Sequence, residues 1–414
     1  RDASPLLARL EERGYVYESA AAEEGAFREL ARRFASGPGE AGARTHLVVC
    51  PTYSCNLRCP YCFERQSGTE FPRGSMDALD VACAFGAFDE IRERWPERRF
   101  DVCLFGGEPL LPGNRAAVAA VLEAAEIRSL PVSIISNGVR AADYLELLRA
   151  HAHNIDAVQV TIDGPPSVHD RRRPRAGGSG SFGAVAQSVS SLLENGIRVV
   201  ARINIDRANV ACLPELSSLA AERGWTASPL FCFSLASVRD HTGKGGAPDA
   251  APDGELLELL LDVYDEHPGI EELLGFEGFQ SLGPVASLLD PDTATSPRFI
   301  NCEANYGGFW VAGPDGYLYP CPEAIGDPVM AVGRFLPRVQ IWTARHEAWT
   351  GRNIETLPEC RSCETGPLCG GGCTFSALVR AGSTMTPVCD LDIRGAMGAL
   401  IRRRVITHSG KAAA

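Results

Sequence analysis

The sequence predicts an α/β fold built on a sheet of parallel strands, followed by a smaller domain rich in cysteine. Three observations support this prediction. Six short apolar runs alternate with amphipathic stretches of helical period, which is the pattern of repeated right-handed βαβ units. Unusual loops follow the first four of these runs. From about residue 300, long apolar runs stop and cysteine and glycine dominate, as in small domains held by metal rather than by a large core.

The predicted strands are separated by stretches long enough for one helix each. The strands are His46–Cys50, Phe100–Phe105, Val132–Ser136, Ala157–Ile162, Val199–Ile205 and Leu230–Leu235, and helices are expected near 76–94, 114–128, 141–151, 183–195 and 213–223. Periodicity alone leaves open whether the sheet is doubly wound or curled into a barrel. In both arrangements, ligands bind at the carboxyl ends of the strands.

The four unusual loops all fall at that edge of the sheet. The loop with Cys55 follows the first strand, and Gly106-Gly107-Glu108-Pro109 follows the second. Ser136-Asn137-Gly138 ends the third strand, and Asp163-Gly164-Pro165 follows the fourth. The agreement among the four loops predicts one ligand site at the carboxyl edge.

Composition excludes several classes of function. The chain has 414 residues, 45% of them hydrophobic, and a formal charge of −12, which argues against sequence-independent nucleic-acid binding. The one basic cluster, Arg171 to Arg175, is either a solvated loop or an anion site. No apolar stretch is long enough for a membrane span. Since no signal-peptide pattern is present, we expect the protein in the cytoplasm.

Fifteen cysteines are unusual for such a protein. Clustered thiols in a reducing compartment more often bind metal than form disulfides, so these cysteines indicate metal sites. Cys55, Cys59 and Cys62 have the spacing C-x₃-C-x₂-C. Three thiolates can bind three irons of a [4Fe–4S] cluster and leave the fourth iron open to a chelating amine and carboxylate. The alternative is a zinc site, which usually requires four protein ligands.

This motif resembles the signature of the radical S-adenosylmethionine (SAM) superfamily, C-x₃-C-x-aromatic-C after the first strand of a partial (β/α)₆ barrel. The resemblance implies one [4Fe–4S] cluster with SAM on its open iron, reductive cleavage of SAM and a 5′-deoxyadenosyl radical that abstracts hydrogen. By that pattern Tyr61 lies against the adenine. The run Gly106, Gly107, Glu108 and Pro109 resembles the family's GGEP motif, which contacts the methionine amino group.

Further cofactor contacts are implied by the same resemblance. Ser136 and Asn137 match a position that meets the ribose or carboxylate, and Asp163 opens a family-like stretch with His169, Asp170 and Arg173. Arg173 or Arg202 would pair with the SAM carboxylate, because a guanidinium binds it in a two-pronged fork. The alternative for these residues is loop capping and surface ion pairing.

The spacing of seven late cysteines and one glycine resembles the complete cysteine pattern of a SPASM domain. They are Cys302, Gly316, Cys321, Cys360, Cys363, Cys369, Cys373 and Cys389. The resemblance implies two auxiliary [4Fe–4S] clusters: an outer one held by Cys360, Cys363, Cys369 and Cys389, and an inner one held by Cys302, Cys321 and Cys373. The inner cluster then has a vacant iron or takes a carboxylate such as Glu303 or Asp315. The other five cysteines are expected to be buried structural thiols.

The predicted organisation has five segments: an N-terminal extension (1–45), a partial radical SAM barrel (46–235), a bridging region (236–299), a SPASM domain (300–395) and a C-terminal helix and tail (396–414). The extension resembles the end of a domain that binds peptide leaders; the alternative is a packing extension.

The resemblance implies a maturase that cross-links side chains of a ribosomally made precursor peptide through a thioether, which is favoured, or a carbon–carbon bond. Its electron donor would be a flavodoxin or ferredoxin, and no nucleic acid or membrane partner is expected. One alternative is an anaerobic sulfatase-maturating type that makes formylglycine, with Glu323 as the base. The other is a non-enzymatic peptide-binding scaffold.

Overall fold

The computed structural model describes residues 4–12, 14, 16–35, 43–66, 74–274, 285 and 297–411. Six parallel strands pair in chain order. They are β1 (Arg44–Val49), β2 (Arg99–Leu104), β3 (Val132–Ser136), β4 (Ile155–Thr161), β5 (Val199–Ile205) and β6 (Phe231–Ser237). The order never reverses, so the sheet winds in one direction as in a barrel and has no doubly wound switch point. The predicted α/β fold with a parallel sheet is confirmed.

Helices follow the barrel strands as the periodicity predicts, and others lie before β1 and after β6. They are α1 (Ser4–Glu12), α2 (Ala20–Ala35), α3 (Phe63–Gln66), α4 (Ala78–Arg94), α5 (Arg115–Ile127), α6 (Leu145–Ala150), α7 (Pro166–Arg172), α8 (Phe182–Glu194), α9 (Leu213–Glu222), α10 (Asp253–Glu266), α11 (Thr343–Thr350), α12 (Pro358–Arg361), α13 (Gly366–Cys369), α14 (Thr374–Ala381) and α15 (Ile393–Lys411). Helix α4 begins after Asp77, whose carboxylate accepts bonds from the backbone of Leu79 and Asp80 in a capping box.

Four short strands from the C-terminal region extend the same sheet. They are β7 (Phe309–Ala312), β8 (Tyr317–Tyr319), β9 (Gly333–Arg334) and β10 (Gln340–Ile341). Strand β7 pairs in parallel with β1, so the order is β10-β9-β8-β7-β1-β2-β3-β4-β5-β6. The fully buried Trp310 and Tyr319 belong to the core of the barrel. The expectation that little apolar core remains after residue 300 is therefore wrong for the segment around β7–β9, because that segment packs against the barrel.

Helix α2 lies against the C-terminal part of the chain. Phe27 of α2 packs on Phe299 with ring centroids 5.3 Å apart, in a small apolar cluster that includes Leu357 and Cys360. Among the described helices, none has the length and apolar character needed to cross a membrane.

Candidate functional site

The predicted cluster loop is held at the carboxyl edge by backbone contacts with the loop after β2. The backbone amide of Gly107 donates to Thr52 O (3.1 Å), and that of Glu108 donates to Ser54 O (2.9 Å). A β-carbon on Gly107 would lie 2.4 Å from Ser54 O, so only glycine permits this approach. The loops after β1 and β2 therefore form one unit, with the GGEP run packed under the cysteines.

The structure brings Cys55, Cys59 and Cys62 together. Burial, the Glu108 charge and the Cys59 thiol raise the pKa of Cys55 to about 11. Burial, the Glu64 charge and the other two thiols raise the pKa of Cys62 to about 12. Burial also raises the pKa of Cys59. Such thiols keep their protons until a metal displaces them. Grouped, largely buried thiols on one loop are a donor set that fits an iron–sulfur cluster.

Glu108 joins this loop to the end of β3. Its side chain is fully buried and accepts bonds from the Leu110 amide (2.8 Å), the Ser136 hydroxyl (2.8 Å) and the Asn137 amide (2.6 Å). Three donors leave this carboxylate little capacity for a further one. Pro109 is also buried, and its carbonyl accepts a bond from Asn114 (3.1 Å).

Asn137 reaches the cysteine loop directly. Its side-chain amide donates to the side-chain oxygen of Asn56 (2.7 Å) and lies 3.6 Å from the Cys55 sulfur. The residues predicted after β2 and β3 are thus gathered beside the first predicted iron ligand. Their contact with SAM stays a prediction.

A second group of predicted residues surrounds Tyr61. Its hydroxyl hydrogen-bonds to Asp163, and Arg173 Nη1 donates to it from 2.6 Å. The Asp163 carboxylate also accepts from the amide of Asn204 (3.0 Å), whose side chain is bonded to Arg202 (3.3 Å). All four predicted residues therefore meet at the ends of β4 and β5.

Two other members of that family-like stretch have structural roles. Asp170 accepts bonds from the amides of Ser181 and Phe182 at the start of α8, and His169 lies 3.1 Å from the Ser181 hydroxyl. Burial lowers the pKa of His169 to about 4, so its ring is neutral. For His169 and Asp170, the geometry therefore agrees with the alternative role, loop capping.

The three predicted inner thiols also lie together. Burial and the neighbouring Cys373 raise the pKa of Cys302 to about 12. Burial, Glu323 and the other two thiols raise the pKa of Cys321. Tight backbone pairing fixes this group to the barrel, because β7 lies between Cys302 and Cys321 and pairs with β1.

Three carboxylates of this region are held in different ways. Asp315 accepts bonds from the hydroxyls of Tyr53 (3.0 Å) and Tyr319 (2.6 Å). Glu303 lies beside Cys302 but faces His46, with 3.4 Å between its carboxylate and the ring. Glu323 lies beside both Cys321 and Cys373, and its Oε2 is buried without a hydrogen-bond partner among the described residues.

Two further residues near this site were missed from the sequence. Glu64, two positions after Cys62, lies close enough to Glu323 for their charges to interact. Burial raises the pKa of Glu64 to about 7, and burial together with Glu64 raises that of Glu323 to about 8. His241 stands 3.9 Å from Glu323. The position of Glu64 beside the motif was a usable signal, whereas nothing in the sequence marks His241.

The four predicted outer thiols form a third group, and they lie nearer the surface. Burial raises the pKa of Cys360 to about 11, with contributions from the other three thiols. Cys363 and Cys389 are exposed. In the sequence, only the run Gly370–Gly372 separates Cys369 of the outer group from Cys373 of the inner group.

That glycine run brings distant backbone segments to the thiols. A β-carbon on Gly370 would lie 2.2 Å from the carbonyl of Ile300, and one on Gly372 would lie 1.9 Å from the carbonyl of Val388. Both glycines have left-handed φ values, +69° and +77°. These contacts place Cys302 and Cys389 beside the run.

The ten thiols thus form three groups of three, three and four. No disulfide is present among the described residues. Within the same part of the chain, no three His, Cys, Asp or Glu side chains converge tightly enough for a single metal ion. A cluster requires a wider spacing, since each thiolate bonds a different iron. Of the five remaining cysteines, only Cys50 is fully buried and the others are half-buried.

Comparison with known proteins agrees with this geometry. Residues 49–208 match the model of the Radical SAM superfamily. A relative from Ruegeria pomeroyi named PqqA peptide cyclase is 26% identical over 82% of this chain and 85% of its own length. The sporulation killing factor maturation protein SkfB of Bacillus subtilis is 27% identical over 65% of this chain and 58% of its own length.

Solved structures share the fold. Native anSMEcpe with bound AdoMet superposes with a TM-score of 0.63 at 16% identity, over 89% of this chain and 100% of its own. Streptococcus suis SuiB bound to precursor peptide SuiA gives a TM-score of 0.59 at 15% identity, over 94% of this chain and 87% of its own. The cysteine motif, the loop geometry and the family match lead to one conclusion: residues 49–208 form a radical SAM domain.

Proposed function

We propose that this enzyme matures a ribosomally made precursor peptide by linking two of its side chains. A thioether from a peptide cysteine is favoured, and a carbon–carbon bond is the other form. The observation that carries the proposal is the approach of Glu64, beside Cys62, to Glu323, beside Cys321. Because of that approach, the predicted SAM-binding loop and a group of only three thiols border the same site.

The relatives support a peptide as the substrate. Two of them are named PqqA peptide cyclase and sporulation killing factor maturation protein, and SuiB has been solved with its precursor peptide. The three-thiol group supports the thioether, because three thiolates leave one iron of a cluster open to a substrate thiolate. An electron donor such as a flavodoxin or ferredoxin belongs to the same proposal.

The chain's own residues would divide the work. Cys55, Cys59 and Cys62 would hold the cluster that, with SAM bound, supplies a radical able to remove hydrogen from an unactivated carbon. The seven later thiols would hold two auxiliary clusters. Around SAM, the backbone of Gly106 and Gly107, the Tyr61 ring and the Arg173 or Arg202 guanidinium would fix its position.

Glu323 is proposed as the group that takes the proton from the peptide thiol. Burial and Glu64 bring its pKa to about 8, and a general base works best when its pKa lies near the operating pH. In forming the link, the 5′-deoxyadenosyl radical would take one hydrogen atom from a carbon, Glu323 would take the thiol proton, and the one remaining electron would pass to an auxiliary cluster. The product is therefore lighter by two hydrogens.

A second candidate, formylglycine formation, is favoured by the same carboxylate. Glu323 stands beside Cys321, where it is placed to deprotonate a substrate thiol or alcohol, and anSMEcpe has been solved with AdoMet and a Cp18Cys peptide. The two candidates differ in their products. Formylglycine carries an aldehyde that reacts with a hydrazide probe, whereas a thioether does not.

The deciding experiment is anaerobic turnover of the reconstituted enzyme with small peptides encoded by the neighbouring genes as candidate precursors, followed by mass spectrometry. We expect loss of two hydrogens and a cysteine that resists alkylation. A free thiol with the link elsewhere would exclude the thioether, and an aldehyde would favour the second candidate. Absence of 5′-deoxyadenosine from a fully loaded enzyme would favour a non-catalytic scaffold.

Two variants separate the role of Glu323 from cluster loading. Glu323→Gln should slow peptide product at least tenfold while 5′-deoxyadenosine still forms. Glu359→Gln, at an exposed position of α12, is the matched control and should leave both unchanged. Iron analysis should give about twelve irons per chain for three four-iron clusters.

A further inference from the structure

Arg352 is a fully buried arginine between the inner and outer thiol groups. Its guanidinium donates to the carbonyls of Thr384 and Thr386 (2.8 Å for the latter) and to that of Gly371 (2.5 Å). These bonds tie the glycine run to the segment that leads to Cys389. The guanidinium therefore has a single fixed position.

The titratable groups that face Arg352 are thiols of both groups. Burial lowers the pKa of Arg352, while Cys360 and Cys369 on the outer side and Cys302 and Cys373 on the inner side raise it. A β-carbon on Gly371 would lie 4.0 Å from both Arg352 Nη2 and the Cys360 sulfur. Arg352 is thus close to both groups at once.

Carboxylates do not balance this cation. Within the described residues, Arg352 forms no ion pair with Asp or Glu, and its Nε is buried without a hydrogen-bond partner. A buried charge needs a counter-charge, because desolvation is expensive. Neutral thiols provide no counter-charge, whereas thiolates bound to iron provide several negative charges. The arginine therefore fits a site that holds anionic clusters.

Arg298, from another segment of the chain, also faces thiols of both groups. Its guanidinium donates to the carbonyl of Asn301, and its amide donates to Pro367 O (2.6 Å). Burial lowers the pKa of Arg298, and Cys369 of the outer group and Cys302 of the inner group raise it. Two arginines from separate parts of the chain thus face the same two thiol groups.

We propose that Arg352 and Arg298 are fixed cations between the two auxiliary clusters and raise the reduction potential of both. This inference rests on the auxiliary clusters of the proposed function. Reduction adds negative charge to a cluster, and a nearby cation in a low-dielectric interior stabilises that charge. Charge and hydrogen bonds around a cluster are established means by which proteins set its potential.

The test is a potentiometric titration of the reconstituted holoenzyme, followed by electron paramagnetic resonance. Arg352→Gln should lower the equilibrium constant for reducing an auxiliary cluster about tenfold, which is about 59 mV for one electron. Arg352→Lys, which keeps the charge, should stay within about threefold of wild type, and Arg298→Gln should shift the potential in the same direction as Arg352→Gln. The radical SAM cluster should not change.

Arg98→Gln is the matched control. Arg98 also donates to backbone carbonyls, those of Tyr306 (2.9 Å) and Gly307 (3.1 Å), but the charges acting on it are Glu97 and Tyr306. Its loss should leave the auxiliary potentials unchanged.

Three results would overturn the proposal. The first is an Arg352→Gln enzyme with full iron content and auxiliary potentials within twofold of wild type. The second applies if neither Arg352 variant holds its iron: the auxiliary potentials of Arg298→Gln are then unchanged from wild type. The third is about four irons in the wild-type chain, which would refute the auxiliary clusters themselves and so identify the proposed function as the failing step.

Discussion

Replacing Gly372 with alanine should break the link between the inner and outer thiol groups. The new β-carbon would lie 1.9 Å from the Val388 carbonyl oxygen, although real β-carbons approach no closer than 3.0 Å, so the two segments must separate by about 1.1 Å. Val388 precedes Cys389, and Gly372 precedes Cys373. The φ of +77° costs alanine about 1–2 kcal/mol, and relieving the overlap costs about 1–3 kcal/mol more.

The matched control is Gly382→Ala, because Gly382 has nearly the same φ, +70°, and no atom within 4 Å of the added carbon. Both variants carry the backbone strain, and only Gly372→Ala carries the overlap. After anaerobic reconstitution, Gly382→Ala should keep about twelve irons per chain, while Gly372→Ala should lose about four or more. Equal iron content and equal visible spectra in the two variants would refute the reasoning.

Three further predictions concern the barrel. Gly107→Ala should abolish SAM cleavage, because its β-carbon would lie 2.4 Å from Ser54 O, whereas Gly113→Ala, with open space around it, should not; equal 5′-deoxyadenosine yields would contradict this. Burial lowers the pKa of His46, but hydrogen bonds and charge interactions with Asp101 and Glu303 raise it to about 9. The stability that the charged ring gives the fold is therefore complete below about pH 6.5 and is lost as the pH rises through about 9. Between pH 7 and 10, the unfolding free energy of wild type should fall by up to about 3 kcal/mol more than that of His46→Gln. An equal change with pH in both proteins, measured by urea unfolding, would contradict this. Arg172→Met should destabilise the barrel by about 3–5 kcal/mol, because it removes two hydrogen bonds (2.8 and 2.7 Å) from the buried Asp206 carboxylate. An unchanged midpoint of urea unfolding would contradict this.

Local sequence was sufficient for the barrel strands and helices. Strand β5 was predicted as Val199–Ile205 and is observed with the same bounds, because an apolar run flanked by turn residues carries its own signal. The pairing of β7 with β1 was not predicted. A four-residue strand has weak periodicity, and its partner, more than 250 residues away in sequence, is chosen by packing that only the folded chain provides.

The sequence by itself determined the match of residues 49–208 to the radical SAM family. The spacing of Cys55, Cys59 and Cys62, the GGEP run and the order of loops after the strands carry that match, because spacing along one loop fixes which groups can meet one ligand. The division of the seven later thiols was implied by the SPASM resemblance alone, and the folded chain places them in the same two groups.

Only the tertiary structure decided which other charges meet these thiols. Glu323 approaches Glu64 across the site, Asp315 is held by two tyrosines, and Arg352 lies between the inner and outer groups. The physical reason is that burial and charge pairing depend on distances between segments far apart in sequence. No local pattern of residues encodes those distances.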